Sequence, residues 1–200
     1  MFYSGKIAKL SKGRYYKQEI TVFGNLQPKQ YQIVKDLLEK DGKTVGYITG
    51  FSIYNSLGLS TQVSNAIQIG KKTVRPSFKR ERYTISFVLQ KNTINDENIP
   101  LLQILDAIRY IKKIPDTTPS SACERLLGII KGLNDKNKSN LVRLSLKYPP
   151  VTRALLGALL ENLGFENLTE PIKKSLNPIT TYNLSGVSQT LQFTEKWNIK

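Results

Sequence analysis

The sequence predicts an α+β protein, in which an N-terminal basic wing-like β-hairpin and a small mixed α+β region are followed by a C-terminal helical bundle. Three patterns support this fold class. Residues 5–17 have the turn chemistry of a β-hairpin. In residues 83–89, Tyr83, Ile85, Phe87 and Leu89 alternate with Thr84, Ser86 and Val88 at the period of two that is typical of a half-buried strand. After residue 98, apolar side chains recur at the spacing of helices.

The predicted hairpin contains five cations and no acid. Its centre, Ser11-Lys12-Gly13, favours a tight turn in which Gly13 has a positive φ, and Arg14-Tyr15-Tyr16 then resumes a strand. Because side chains alternate between the two faces of a strand, we expect one of these tyrosines to point inward and the other outward. Basic hairpins with neighbouring aromatic residues can rest on nucleic-acid phosphates.

A winged-helix module would place its groove-reading helix before such a wing, yet only residues 1–4 precede this hairpin. We therefore expect residues 1–22 to be a wing-like remnant that touches phosphates without reading sequence. Residues 23–95 are predicted to form a basic α+β region, and residues 96–200 a mainly helical region.

Within these regions, a helix that starts near Pro28 and buries Ile33, Val34, Leu37 and Leu38 is expected to end at Asp41-Gly42. Residues 66–69 are predicted to form a strand. In the helical region, residues 134–140 are interpreted as a polar loop, and the tail after residue 177 as loop or weak strand. The apolar helical stripes are expected to form core, with no inward-pointing polar cluster among them.

The net charge of +15 makes polyanions plausible partners, with nucleic acid first. The charge is uneven: residues 1–95 hold 16 Lys and Arg against 5 Asp and Glu, whereas residues 96–200 hold 14 against 10. The argument for a polyanion therefore belongs to the N-terminal half. A basic surface that only keeps the protein soluble is the alternative.

The residue types that are missing restrict the chemistry. The chain has no histidine, which removes His-based catalysis and most zinc sites, and Cys123 is its one cysteine. Cys123 is expected to be a buried structural residue. The acids, among them Asp36, Asp96 and Asp106, are expected on helix surfaces or in loops, without the spacing of metal ligands. We therefore expect no enzyme, no metal and no cofactor.

Membrane association is not expected either. No apolar run approaches the roughly 20 residues of a membrane span, and residues 1–10 lack the apolar stretch of a signal peptide. The prediction is a cytoplasmic protein without a membrane partner.

A longer pattern occurs in residues 46–63, Gly46-Tyr47-Ile48-Thr49-Gly50-Phe51-Ser52-Ile53-Tyr54-Asn55-Ser56-Leu57-Gly58-Leu59-Ser60-Thr61-Gln62-Val63. With it go Lys12-Gly13-Arg14-Tyr15-Tyr16, Asp106-Ala107 followed by Ile114-Pro115-Asp116, and Tyr148-Pro149-Pro150 followed by Arg153-Ala154-Leu155-Leu156-Gly157. Together these segments resemble the AbiEi-like antitoxins of type IV toxin–antitoxin systems, which are bacterial transcriptional regulators. Ser60 stands where this family commonly has Thr.

The resemblance implies a protein that uses its winged helix to bind its own promoter and the rest of its chain to antagonise a nucleotidyltransferase toxin, without needing a stable complex. The alternative is a non-enzymatic protein–protein interaction module with an incidental basic surface. For the first function, the predicted partner is DNA, bound weakly and without sequence preference. The candidate nucleic-acid-binding residues are Lys6, Lys9, Lys12, Arg14, Tyr15, Lys17, Lys71, Lys72, Arg75, Lys79, Arg80 and Arg82.

Overall fold

The computed structural model describes residues 7–11, 13–17, 20–22, 24–25 and 29–200. In this part of the chain helices and strands are mixed, and the C-terminal half is helical, which confirms the predicted α+β class. The strands are β1 (Ile7–Ser11), β2 (Arg14–Lys17), β3 (Ile20–Thr21), β4 (Gly24–Asn25), β5 (Glu39–Lys40), β6 (Lys43–Thr44), β7 (Gly46–Thr49), β8 (Ala66–Lys71), β9 (Phe78–Arg80) and β10 (Tyr83–Leu89). The α-helices are α1 (Gln30–Leu38), α2 (Phe51–Ser56), α3 (Ile99–Arg109), α4 (Pro119–Lys131), α5 (Asp135–Ser145), α6 (Pro150–Asn162) and α7 (Glu170–Lys174).

The N-terminal hairpin forms as predicted. Strands β1 and β2 pair antiparallel, and Gly13 has a φ of +73°, a conformation that glycine adopts without steric cost. Tyr15 is 64% exposed, while Tyr16 packs against the core between α1 and the main sheet. The expectation of one outward and one inward tyrosine is confirmed. The inward ring anchors the hairpin to the rest of the molecule.

The main sheet has four strands in the order β7-β8-β10-β9. Strands β8 and β10 are parallel, and β7 and β9 pair antiparallel on either side of them. Helix α1 covers one face, where its four predicted apolar residues are buried against alternate residues of β8 and β10. Tyr47 of β7 lies on the other face and joins the core of the helical region.

The expected end of α1 is wrong by three residues. The helix ends at Leu38, and Asp41-Gly42 instead forms the tight turn of the β5–β6 hairpin. Both turn residues have positive φ, 50° and 71°, which is the conformation that Asp-Gly pairs favour in two-residue hairpins.

The helical region is one core of tightly packed apolar side chains contributed by α3, α4, α5 and α6. Residues 134–140, predicted to be a loop, form the start of α5, whose N-cap Asn134 accepts a hydrogen bond from the Asn137 backbone. The prediction failed because most side chains in the first turns of α5 face solvent, so the segment has no apolar stripe.

The C-terminal tail is irregular, with a short bridge between Tyr182 and Ile199, yet it belongs to the core. Trp197 is buried against Gly157 of α6, where a Cβ atom would come within 2.2 Å of the indole ring. Below it, the buried Glu161 carboxylate accepts hydrogen bonds from the Trp197 indole N–H at 2.7 Å and from Lys196 at 2.9 Å. Packing of Trp197 therefore fixes the tail and requires a glycine at position 157.

The sheet and the helical bundle share the larger core. Tyr47, Tyr54 and Leu59 from the N-terminal side of residue 95 pack with the apolar stripes of the bundle. In the described part of the chain, every helix is too short or too polar to cross a bilayer.

Candidate nucleic-acid interface

The parallel pair β8 and β10 brings two loops to the same edge of the sheet. Lys71 at the end of β8 lies opposite Leu89 at the end of β10, and the Gln90 backbone N–H donates to the Lys71 carbonyl at 2.9 Å. The segments that follow both strands therefore leave the sheet side by side. Such carboxyl edges are common ligand sites in sheets with parallel strands.

At this edge lies a cavity of about 460 Å³, which we call the strand-end cavity. Among the residues that the structure describes, its charged lining residues are all lysines: Lys40 from β5, with Lys71 and Lys72. Three threonine side chains supply further hydrogen-bonding groups, namely Thr44, Thr73 and Thr93. This combination of cations and hydroxyl groups suits an anionic ligand.

The three lysines differ in their freedom. Lys71 donates through Nζ to the Leu37 carbonyl at 3.0 Å and is half-buried, so it also satisfies the C-terminal end of α1. Lys40 and Lys72 are exposed, and in the described residues neither forms an ion pair. Two cations of the strand-end cavity are thus available to a ligand.

The turn of the β1–β2 hairpin lies close to the strand-end cavity. A second open cavity, of about 530 Å³, is lined by Gly13 and Tyr15 on one side and by residues of α1 and the β5–β6 hairpin on the other. Lys40 lines both this cavity and the strand-end cavity. The acids Asp36, Glu39 and Asp41 also line this second cavity, and their negative charge opposes phosphate binding there.

The remaining predicted cations of the hairpin lie partly outside the described residues. Lys6 and Lys12 are among the residues that are not described, and the side chains of Lys9, Arg14 and Lys17 are not described either. Their assignment to phosphate contact stays a prediction.

Arg75, two residues after Thr73 of the strand-end cavity, lies on aromatic rings. Its guanidinium is 4.5 Å from the centre of the Phe78 ring and 5.3 Å from that of Phe87. The side chain is exposed, and a guanidinium supported on its face keeps its N–H edges for an external acceptor. Arg75 therefore suits phosphate contact.

Arg80 has an internal role. It is 8% exposed, it pairs with Asp36 at 2.8 Å, and it donates to the Ile33 carbonyl. These bonds tie the edge strand β9 to α1. In this arrangement the guanidinium points away from solvent and is not placed to meet a phosphate.

Lys79 in β9 and Arg82 in the β9–β10 turn lie at the opposite end of β10 from the strand-end cavity. Arg82 donates to the Tyr83 hydroxyl at 2.8 Å and lies 5.0 Å from that ring, while Lys79 is exposed. A strand of seven residues is roughly 20 Å long, so these two cations form a separate group from Lys40 and Lys72.

Sequence reasoning missed a buried polar cluster. Asp106, expected on a surface, is fully buried and accepts hydrogen bonds from Tyr47 at 2.7 Å, Thr49 at 2.8 Å and Tyr148 at 2.9 Å. Gln90 donates to both tyrosine oxygens, at 2.9 and 2.8 Å. The expectation of a purely apolar helical interior is therefore wrong. The partners could not be paired from the sequence, because they come from segments 42 to 59 residues away from Asp106.

The electrostatics of this cluster suit a structural role. Burial raises the pKa of Asp106, and the three hydroxyl donors and the Arg109 charge only partly offset that effect. Burial and the neighbouring Asp106 charge raise the pKa values of Tyr47 and Tyr148, so both remain protonated donors at neutral pH. The cluster joins the sheet to the bundle through a closed set of hydrogen bonds.

Cys123 is buried, as expected, and burial raises the pKa of its thiol to about 12, so it is an inert thiol at neutral pH. In the described ranges, no group of three or more His, Cys, Asp or Glu side chains could hold a metal ion.

Comparison of the chain with models of protein families, with curated proteins and with solved structures finds no match.

Proposed function

We propose that the protein is an antitoxin-type transcriptional regulator that counteracts a nucleotidyltransferase toxin and contacts DNA phosphates through its basic N-terminal half. The observation that carries the DNA contact is the position of Lys40. This exposed cation lines both the strand-end cavity and the cavity beside the hairpin turn, so the lysines of the strand-end cavity form a basic region that reaches the side of the molecule where the wing-like hairpin lies.

Two exposed cations of this region, Lys40 and Lys72, are placed for phosphate contact, and the exposed Arg75 follows Lys72 in the same loop, whereas Lys71 donates to the Leu37 carbonyl. Lys40 belongs to the β5–β6 hairpin, and Lys72 and Arg75 belong to the loop between β8 and β9. Each phosphate neutralised on duplex DNA changes the slope of log K against log salt by about −0.9, so three contacts correspond to a slope of about −3. Contacts of this kind give affinity without sequence preference.

The antitoxin assignment rests on the resemblance, and the positions that carry it have physical roles in the fold. Tyr47, Thr49, Asp106 and Tyr148 belong to three of the quoted segments and meet in the buried polar cluster. Gly157, from the same pattern, is required by Trp197. These residues are distant in sequence and together maintain the packing of this fold. A fold shared with the AbiEi-like antitoxins would require such residues at the matching positions.

Co-expression tests the antitoxin function. We expect the full chain to restore growth of cells that express a nucleotidyltransferase toxin encoded in the same operon. The variant Lys40→Gln/Lys72→Gln should restore growth equally, because it alters the basic region and leaves the fold intact. Lack of rescue by the wild-type chain, at an expression level confirmed by immunoblotting, would overturn the assignment.

The same variant separates the two activities. In a DNA titration it should bind more weakly than the matched double variant Lys131→Gln/Lys136→Gln, which removes two exposed cations of the helical region. Equal DNA affinity of the two variants would leave toxin antagonism in place and remove the proposed phosphate contacts.

A further inference from the structure

A second basic cavity lies where the sheet meets the helical bundle, and we call it the junction cavity. Its volume is about 380 Å³. It is bounded by the end of β10, the last turn of α3 and the loop between α5 and α6. None of these segments belongs to the basic region proposed above for DNA.

Three cations from these three segments converge on the junction cavity: Lys91, Arg109 and Lys147. They are its only charged lining residues, and in the described part of the chain none of them is in an ion pair. The Arg109 guanidinium lies 5.0 Å from the Tyr110 ring, which supports its face and leaves its N–H edges free of that contact. Without a ligand, the three like charges repel one another.

One acid lies near these cations. Asp106 is close enough to Arg109 for the guanidinium charge to lower its pKa, although burial raises it more. Its two oxygens already accept three hydroxyl hydrogen bonds, and the side chain is fully buried beneath the cavity. The cavity surface therefore stays positive.

The floor of the junction cavity is polar and fixed. Gln90 and Tyr148 line it, and both are nearly fully buried, at 3% and 6% exposure. The Gln90 amide donates to Tyr148 and Tyr47, and its oxygen accepts from the backbone and the side chain of Asn92. This network holds the cavity in one shape before any ligand arrives.

Two further features select the ligand. Helix α6 starts at Pro150 beside the cavity, and the positive end of its dipole adds to the field of the cations. Leu89 and Pro149 provide an apolar wall. The volume lies at the small end of the range for small-molecule sites, which is roughly 300–1,000 Å³, and is larger than a bare inorganic ion needs.

We propose that the junction cavity binds the phosphate group of a nucleotide, supplied either by a free nucleotide or by the phosphorylated end of a nucleic-acid strand. Lys91, Arg109 and Lys147 hold the phosphate oxygens, and the apolar wall contacts the sugar or base. The site uses none of the residues of the DNA contact and does not depend on the antitoxin assignment.

Calorimetric titration of the full chain with inorganic pyrophosphate tests the shared chemistry. We expect the variant Lys91→Gln/Lys147→Gln to raise the Kd at least about tenfold, since it removes two charge-assisted contacts. The charge-matched control Lys131→Gln/Lys136→Gln should stay within about twofold of the wild type. Thermal unfolding without ligand confirms that each variant folds, and Lys147→Gln alone provides the same comparison if the double variant does not.

Two further ligands identify the source of the phosphate. ATP represents a free nucleotide, and a 5′-phosphorylated single-stranded oligonucleotide, compared with its 5′-hydroxyl counterpart, represents a strand end. Binding of either that depends on Lys91 and Lys147 supports the proposal and names the source. No binding of pyrophosphate, ATP or phosphorylated strand to the wild type, or equal weakening in the two double variants, overturns it.

Discussion

Both ends of strand β10 carry clusters of cations, but the two clusters differ in how far their side chains are hydrogen-bonded within the protein. At the Tyr83 end, Arg80 is buried against Asp36 and Arg82 is hydrogen-bonded to the Tyr83 hydroxyl. At the Leu89 end, Lys72 and Lys91 are exposed, and in the residues that the structure describes neither is ion-paired. Arg80 and Arg82 are therefore engaged within the molecule, whereas Lys72 and Lys91 are open to an anion; at the Tyr83 end Lys79 is exposed as well.

The difference comes from what lies beneath each end. Near Tyr83 the edge strand β9 needs an anchor to α1, and Arg80 provides it by donating to the Ile33 carbonyl. Near Leu89 the sheet meets the helical bundle. There the buried hydrogen bonds of the Asp106 cluster are donated by the neutral side chains of Gln90 and Tyr148. At that end only Lys71 is tied to α1, through the Leu37 carbonyl, while Lys72 and Lys91 remain exposed.

The largest effect on stability is expected at the Tyr83 end of β10, where Arg80 is buried. Replacing Arg80 with Ala removes its charge-assisted hydrogen bonds to Asp36 and to the Ile33 carbonyl, so we expect the free energy of unfolding to fall by about 2–3 kcal/mol. Urea denaturation measures it. The neighbouring exposed cation provides the control, since Lys79→Ala should change stability by less than about 0.5 kcal/mol. Similar losses for both variants would contradict the distinction between the two residues.

The buried cluster gives a smaller effect that depends on pH. Because burial raises the pKa of Asp106 above its ordinary value of 3.8, its contribution to stability is complete below that value and is lost as pH rises through the folded pKa. We expect the stability of the wild type relative to Asp106→Asn to decrease from acidic to neutral pH. Unfolding at several pH values measures this difference.

Glu161 provides the opposite case within the same molecule. Burial alone would raise its pKa, but hydrogen bonds from Lys196 and Trp197 and the charge of Lys173 lower it below the ordinary 4.5. Its contribution is present above that value and is lost as pH falls through the folded pKa. The stability of the wild type relative to Glu161→Gln should therefore increase with pH, and the same sign for both carboxylates would refute this account.

Much of the fold could be predicted from the sequence, because local patterns determine it. Gly13 and the alternating tyrosines specify the hairpin, and the apolar stripes specify α1, α3 and α6. The start of α5 was missed because its exposed side chains leave no stripe. Trp197 gave no local signal either, since its packing partner Gly157 lies forty residues earlier.

The candidate site was less predictable for a physical reason. Lys71 and Lys72 stand out as a basic pair in the sequence, but Lys40, Lys91 and Lys147 are single cations, and only the fold brings Lys40 to the strand-end cavity and Lys91 and Lys147 to the junction cavity. Conversely, Arg80 lies in a basic stretch of the sequence, and nothing in that stretch indicates that its guanidinium is buried against Asp36 and the Ile33 carbonyl. Availability of a charge is a property of the fold.

The central claim is that Lys40 and Lys72 at the Leu89 end of β10, and not Lys79 and Arg82 at the Tyr83 end, contact DNA. The most direct test measures the affinity of duplex DNA at several salt concentrations for the wild type, Lys40→Gln/Lys72→Gln and Lys79→Gln/Arg82→Gln. Each lost phosphate contact changes the slope of log K against log salt by about 0.9. We predict a slope shallower by about 2 for the first variant and by less than about 1 for the second. Equal slopes for all three proteins, or the larger change in the second variant, would contradict the claim.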